Sequence, residues 1–231
     1  MQKNIKDISI FLNVRVASTR CRNKMLRAFS DSTLIDICLE KLHELTGFDI
    51  YYGAHEKELL DKAKSYDFLK VIKRTYESAI SPNDGKKIFE ILNYIGTKWV
   101  LWINPCAPFL EMKTVMSAIE KFLRIENNSL TSAKKVYGWF YDNSGEPLTN
   151  KENRIATQES DYLLEVAHAF HIYERKYMLE TGKPWINRKG EPYLYVIPNE
   201  ESYDIDTESE FIAIESLFRH ANRREGAEFI I

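Results

Sequence analysis

Apolar runs of strand length alternate with helical stripes along the first half of the chain. The first run, 8-ISIFLNV-14, predicts a strand. The segment 30-SDSTLIDICLEKLHELTG-47 predicts a helix: Leu34, Ile37, Cys38, Leu42 and Leu45 make its stripe, Ser30, Asp31 or Ser32 caps it, and Gly47 stops it. A strand at 48-FDIYYG-53, a polar helix at 55-HEKELLDKAKSY-66 and a third strand at 68-FLKVIK-73 follow. The turn 81-SPNDG-85 leads into an expected helix at 86-KKIFEILNYIG-96. A fourth strand, 98-KWVLWIN-104, ends at 105-PCAPF-109, where two prolines force an extended turn, and helix 112-MKTVMSAIEKFLR-124 comes after it. Strands separated by helices argue for βαβ units in a mostly parallel α/β sheet with helices on both faces. Ligands of such sheets sit beyond the carboxyl ends of the strands.

The second half has a different texture. Residues 134-KKVYGWFYDNSGEPLT-149 read as a hairpin around Asn143-Ser144-Gly145, and 150-NKENRIATQES-160 as a polar loop. The segment 162-YLLEVAHAFHIYERKYMLETG-182 fits helix or strand, 193-YLYVI-197 reads as a strand, and 207-TESEFIAIESLFRHAN-222 as a closing amphipathic helix. No repeat or low-complexity linker divides the chain, so residues 1–231 are expected to form a single domain.

Composition changes this picture little. The 231 residues are 44% hydrophobic and 29% charged, with formal net charge −2. That balance offers no global basic surface for nucleic acid. Three widely spaced cysteines, Cys21, Cys38 and Cys106, indicate neither a disulfide framework nor a zinc site. No run approaches the roughly 20 apolar residues that span a bilayer. The expectation is a cytoplasmic protein with no membrane partner.

Against that neutral background, 13-NVRVASTRCRNKML-26 stands out, because Arg15, Arg20, Arg22 and Lys24 crowd one loop after the first strand. Guanidinium forks match phosphate oxygens, and small neighbours such as Ala17 and Ser18 let backbone N–H groups come close. A solvated basic loop is the plainer reading. No GxxxxGK[ST] or GxGxxG pattern is present. The other informative stretch is 203-YDIDTESEF-211. Asp204 and Asp206 lie two apart on an extended segment and so share a face. Paired carboxylates suit Mg²⁺, which takes one or two of them together with substrate phosphates. Capping of the last helix by an Asp and Thr207 is compatible with that role. Cations for phosphate and carboxylates for magnesium on one sheet make the inventory of an enzyme acting on a nucleoside triphosphate.

These residues resemble the sugar-acid cytidylyltransferases, the group that includes CMP-N-acylneuraminate (CMP-sialic acid) synthetases and the enzymes activating legionaminic, pseudaminic and 3-deoxy-octulosonic acids. The group's first motif, roughly A-R-x-G-S-x-R-x-x-x-K-N, is similar to 14-VRVASTRCRNKM-25; its proline turn, roughly Q-P-T-S-P-L-R, to 104-NPCAPFL-110; its late motif, S-I-D-I-D-T-x-x-D-F-x-x-A-E, to 202-SYDIDTESEFIAIE-215. Ala17, Leu110 and Glu210 stand where the pattern has Gly, Arg and Asp. The first motif also resembles A-R-M-x-S-T-R-L-P-G-K-V-L of polysaccharide-synthesis proteins related to spore-coat formation.

The resemblance implies a Rossmann-like nucleotidyltransferase sheet and a reaction of CTP with a 2-keto sugar acid, giving a CMP-sugar and pyrophosphate for polysaccharide or glycan synthesis. It assigns Arg15, Ser18, Arg20 and Lys24 to the triphosphate, with Lys24 stabilising charge, and Arg74 to the neighbourhood of cytosine. Asp204 and Asp206 would hold Mg²⁺, Asp206 or a bound water would take the proton, and Gln158 would contact the sugar. Arg154 and Lys183 are candidates for the sugar carboxylate. It also implies a homodimer through an arm at 134–157. In this family reading 169-AFHIY-173 is a strand, which sends His168 and His171 to opposite faces. The alternatives are a metal-dependent glycosyltransferase-like enzyme, which also uses D-x-D carboxylates, and an inactive relative acting as a binding partner.

Overall fold

The computed structural model describes residues 3–81, 83–149 and 161–227. The sheet strands begin with β1 (Ile8–Asn13); a two-residue pair, β2 (Ala28–Phe29) and β3 (Ser32–Thr33), precedes helix α1 (Leu34–Leu42). Then come β4 (Ile50–Ala54), α2 (Lys57–Ala63), β5 (Leu69–Lys73), two short helices α3 (Tyr76–Ile80) and α4 (Gly85–Ile88), β6 (Trp99–Ile103) and α5 (Met112–Arg124). The chain continues through β7 (Ser129–Tyr137), β8 (Tyr162–Glu174), α6 (Arg175–Thr181), β9 (Tyr193–Val196) and α7 (Glu208–Ala227).

Seven strands form one sheet in the order β5-β4-β1-β6-β8-β7-β9. β1, β4, β5 and β6 pair in parallel; β8 runs antiparallel to both β6 and β7, and β9 is parallel to β7. Alternation along β1 feeds two cores. Ile8, Ile10 and Leu12 join the larger cluster with α1, α5 and α7, while Phe11 packs on the opposite face with Tyr51, Ile91, Val100 and Tyr173. α5 turns Val115, Ala118, Ile119 and Phe122 into the larger cluster, and Phe122 meets Trp99 edge to face at 5.1 Å. A fully buried side chain of this size is worth roughly 1.5–3 kcal/mol relative to exposure, so this stripe anchors the helix below β6.

Several expectations need correction. The cap of α1 is Thr33, whose Oγ1 accepts from the Asp36 N–H, because the β2–β3 turn occupies residues 28–33. The helix expected over 86–96 breaks into α4 and a 3₁₀ segment, Glu90–Tyr94. The cause is the Ile88 carbonyl, which accepts from Asn13 Nδ2, Arg74 Nη2 and Ser78 Oγ. The ambiguous 162–182 segment is strand β8 followed by α6, stopped by Gly182 at φ +72°. β7 begins at Ser129 and pairs along β8; its hairpin partner is not 146–149, which closes a compact loop through a Tyr141–Pro147 bridge. α7 runs to Ala227, past the expected end at residue 222.

Candidate active site

The carboxyl ends of β1 and β6 open into a cavity of about 210 Å³. Arg15, Ser18, Arg20 and Lys24 line it from the loop after β1; Trp102, Asn104 and Cys106 line it from β6 and the proline turn; Asp206 faces them from the segment before α7. The loop takes its shape from residues suited to it. Asn23 sits at φ +54°, a left-handed conformation that Asn tolerates, and its carbonyl accepts from Leu26 and Arg27 N–H groups. Glu56 accepts the Val16 N–H at 2.9 Å. The turn thereby returns Lys24 toward the sheet.

Asp206 collects the cations. Arg20 Nη2 lies 2.9 Å from one of its oxygens and Lys24 Nζ 3.3 Å from the other, and Lys24 also donates to the Ile205 carbonyl. Burial pulls the Lys24 ammonium down, but its hydrogen bond to the Cys106 sulfur and the charges of Asp206 and Asp204 outweigh it and leave its pKa raised. Asp204 is more enclosed. Burial, then the charge of Asp206, pushes its carboxyl up to about 6, with Lys24 and a 3.1 Å bond from Asn104 Nδ2 opposing. Arg15 donates to the Ala79 and Ser81 carbonyls, each at 3.3 Å, which ties the loop to α3. Burial pushes the Cys106 thiol up to about 12, so it is a neutral wall of the cavity and not a nucleophile.

Not every residue singled out in the sequence comes to this cavity. Arg74 lies behind it, 3% exposed, and its guanidinium donates to the carbonyls of Val14, Ser78 and Ile88 and to Ser78 Oγ. Those bonds occupy the fork that the resemblance directs to cytosine, so Arg74 braces the loop from beneath. Lys183 follows α6 and borders a shallow groove with Ser81, Asp84 and Lys86. Gln158 and Arg154 lie outside the described residues.

The structure adds residues that sequence reasoning passed over. Asn104 is the hub of the rim. Its Nδ2 donates to Asp204 and to the His168 carbonyl, and its Oδ1 accepts the Cys106 N–H at 3.0 Å. Asn13 Oδ1 and Trp102 Nε1 are buried without a protein partner and belong to residues of the cavity wall, so an acceptor and a donor remain for a bound molecule. The signal for Asn13 was its place two residues beyond Phe11 on the same strand face. His168 and His171 do not face opposite sides; their rings approach to 3.2 Å. Among the described residues no group of three or more His, Cys, Asp or Glu could by itself hold a metal ion.

The fold is the α/β, Rossmann-like nucleotidyltransferase fold, with a mostly parallel sheet and helices on both faces. No family model and no curated protein sequence matches the chain. Among solved structures it is similar to a CMP:2-keto-3-deoxy-manno-octonic acid synthetase complexed with CTP, at 11% identity and a TM-score of 0.66 over 93% of this chain and 99% of that one. It is also similar to the 4-diphosphocytidyl-2C-methyl-D-erythritol synthase of Anaerococcus prevotii, at 12% identity and a TM-score of 0.62 over 92% and 96%. A cytidylyltransferase of Leptospira borgpetersenii matches at 17% identity and a TM-score of 0.57 over 93% and 87%. At these identities the likeness defines the fold. Among the described residues, no helix is long and apolar enough to cross a membrane.

Proposed function

We propose that the protein is a cytidylyltransferase that joins CTP to a 2-keto sugar acid and releases pyrophosphate. The observation that carries this reading is the convergence of Arg20 and Lys24 on Asp206 at the carboxyl rim of the parallel strands. The cations sit where phosphates bind in such sheets, and a carboxylate holds them in place without substrate. Arg15, Ser18, Arg20 and Lys24 take the triphosphate, and Lys24, held charged on a short tether, stabilises the charge that develops around the α-phosphorus. Asn13 Oδ1 and the Trp102 indole N–H offer polar contacts to the bound molecules. Arg74 acts from behind by fixing the Val14 carbonyl next to Arg15.

Asp204 and Asp206 fit Mg²⁺ by donor chemistry, as two hard oxygen ligands two residues apart that need substrate phosphates to complete a coordination shell. Bound there, the ion would neutralise phosphate charge and favour ionisation of the attacking hydroxyl. Gln158 belongs to the acceptor side of this reading. Tyr137, Trp139 and Tyr141, each 46–57% exposed on the arm around 134–157, form an apolar surface suited to a homodimer, and an invariant monomer mass in solution would sink that part.

The test is pyrophosphate release from each of the four nucleoside triphosphates with Mg²⁺, in the presence of 3-deoxy-manno-octulosonate or N-acetylneuraminate. Release with CTP alone supports the reading. Consumption of a nucleotide-sugar without pyrophosphate would replace it with a glycosyltransferase-like activity.

A further inference from the structure

The rim carries a polar row that neither the cationic loop nor the aspartates use. Strand pairing sets Trp102 beside His171, and His171 beside Thr131. The Trp102 ring stacks on the buried His171 imidazole with centroids 5.1 Å apart and planes at 13°. His171 Nδ1 lies 2.6 Å from Thr131 Oγ1, and its Nε2 lies 3.2 Å from Nδ1 of His168. A regular strand would not allow this, since residues three apart point to opposite faces. Between Thr131 and Ala133, however, the pairing on β8 jumps from His171 to Val166, five residues against two, and His168 takes φ +52°. The bulge folds His168 back onto His171. A left-handed conformation is strained for a non-glycine residue, and bulges beside active sites commonly re-aim a side chain.

One assignment of the hydrogen bonds satisfies every group in the row. With the Thr131 hydroxyl donating to the Ser132 carbonyl at 3.4 Å, its oxygen accepts from His171 Nδ1–H. Burial, reinforced by His168, holds His171 neutral. A neutral imidazole has one N–H, so His171 Nε2 accepts, and His168 Nδ1–H donates to it. That leaves Nε2 of the exposed His168 with a lone pair and, among the described residues, no protein partner. Its backbone carbonyl shares the Asn104 amide with Asp204, which puts the residue beside the cavity's acidic wall.

We propose that His168 is the general base of the transfer, with His171 and Thr131 as positioning residues. This rests on the cytidylyl-transfer reading above. In the step, the acceptor O–H bond breaks and its proton goes to His168 Nε2. The freed oxygen pair forms a bond to the α-phosphorus, and the bond from that phosphorus to the bridging oxygen breaks. Pyrophosphate leaves with the electrons of that bond. The imidazolium keeps Nδ1–H on His171, so the relay does not rearrange. Partial desolvation of its ring lowers the pKa of the surface-accessible His168, while Asp206 across the rim and Glu165 on its own strand, itself paired with Lys134 of β7, act in the opposite sense. The free base is therefore the form present at neutral pH.

The tautomer can be read without substrate, by ¹⁵N NMR of the imidazoles in the full chain, with His168→Gln as the assignment control. The expected result is Nδ1–H on both histidines at pH 8. An Nε2–H tautomer at His168 overturns the proposal, because no lone pair would face the acceptor. In pyrophosphate release with CTP and the two sugar acids, His168→Gln should lower kcat about 100-fold or more, leave KM for CTP within twofold and remove the acid limb of the pH profile. A kcat within threefold of the parent overturns it. Thr131→Val should lower kcat roughly tenfold and shift that limb, and Thr131→Ser should restore both; a Val variant with an unmoved limb would remove Thr131 from the relay. Since the NMR arm needs no turnover, failure of the cytidylyl reading shows itself separately, as absence of release by the parent chain with its tautomers as expected.

Discussion

Lowering the pH from 7.5 to 5.0 should destabilise the protein through His171, and His171→Asn should remove that part of the loss. The ring is buried among Trp102, Trp185, Thr131 and His168, and burial, then His168, brings its pKa from 6.5 to about 3. Because the folded value is depressed, the unfolded chain binds a proton between these limits and the folded chain does not. Stability is therefore intact above about pH 6.5 and falls as the pH drops below it. At about 1.4 kcal/mol per pH unit, the 1.5 units from 6.5 down to pH 5 give roughly 2 kcal/mol. For a chain of this length that is a Tm change of about 4–8 °C. Asp204 contributes with the opposite sign, since its carboxyl is raised to about 6, but it is present in both chains and cancels in the comparison. Asn preserves a polar partner for Thr131 and cannot titrate. Urea unfolding of both chains at the two pH values reads the difference of differences, so the packing cost of the substitution drops out. Equal pH increments in the two chains, within about 0.5 kcal/mol, would mean that His171 is charged in the fold at pH 5, and the hydrogen-bond polarity argued for the relay would fall with it.

Lys24→Ala should reduce pyrophosphate release by about 100-fold or more, the usual consequence of losing a charge contact that strengthens in the transition state; a change under threefold would make the loop a surface feature. Asp206→Ala should abolish turnover while the far-ultraviolet dichroism stays that of the parent, and retained activity would remove it from the site. Arg74→Met should lower stability by about 3–5 kcal/mol in urea titration, because four buried oxygen acceptors lose their donor; a loss under 1 kcal/mol would place Arg74 outside the fold's framework.

Much of the sheet was legible because local signals and tertiary needs agree. β1 and β6 are short, largely apolar runs buried along most of their length, and α5 spans Met112–Arg124 as its stripe predicts. The start of β7 was hidden because most of its buried residues are polar: Ser129, Thr131 and Ser132 are at most 1% exposed beside Leu130 and Ala133, and a mostly polar run reads as loop. The break at Ile88 was hidden because three donors from β1, the residue after β5 and α3 converge on one carbonyl, which no local window contains. In the site, the cationic loop and the two aspartates were each visible as composition. What joins them is the pairing of Arg20 and Lys24 with Asp206, while Asn104 ties Asp204 to the His168 carbonyl, and the bulge at His168 reverses a face assignment that strand periodicity makes with apparent security. Arg74 shows the converse error, since a cation placed by motif spacing proves to be a buried brace.

The pairing of Arg20 and Lys24 with Asp206 has a consequence for binding. Without ligands, the carboxylate that would hold a metal is the same group that neutralises the cations that would hold phosphate. In the proposed reading, CTP alone would have to pull those cations off Asp206 and leave its charge facing phosphate, and Mg²⁺ alone would have to displace them while they still repel it. With both present, Asp204 and Asp206 would be free to hold the ion and Arg20 and Lys24 free to meet the triphosphate, so each ligand would remove the cost of the other. Linkage then requires the two affinities to rise by one common factor, and couplings of this kind are typically about 5- to 150-fold. Calorimetric titration of CTP with and without Mg²⁺, and of Mg²⁺ with and without CTP, measures that factor twice. Asp206→Asn should tighten metal-free CTP binding, because the cations lose their internal partner, and should shrink the coupling toward that of the nucleotide's own metal affinity. Weaker metal-free binding by Asp206→Asn would show that Asp206 orders the loop more than it competes for it, and the displacement argument would be wrong.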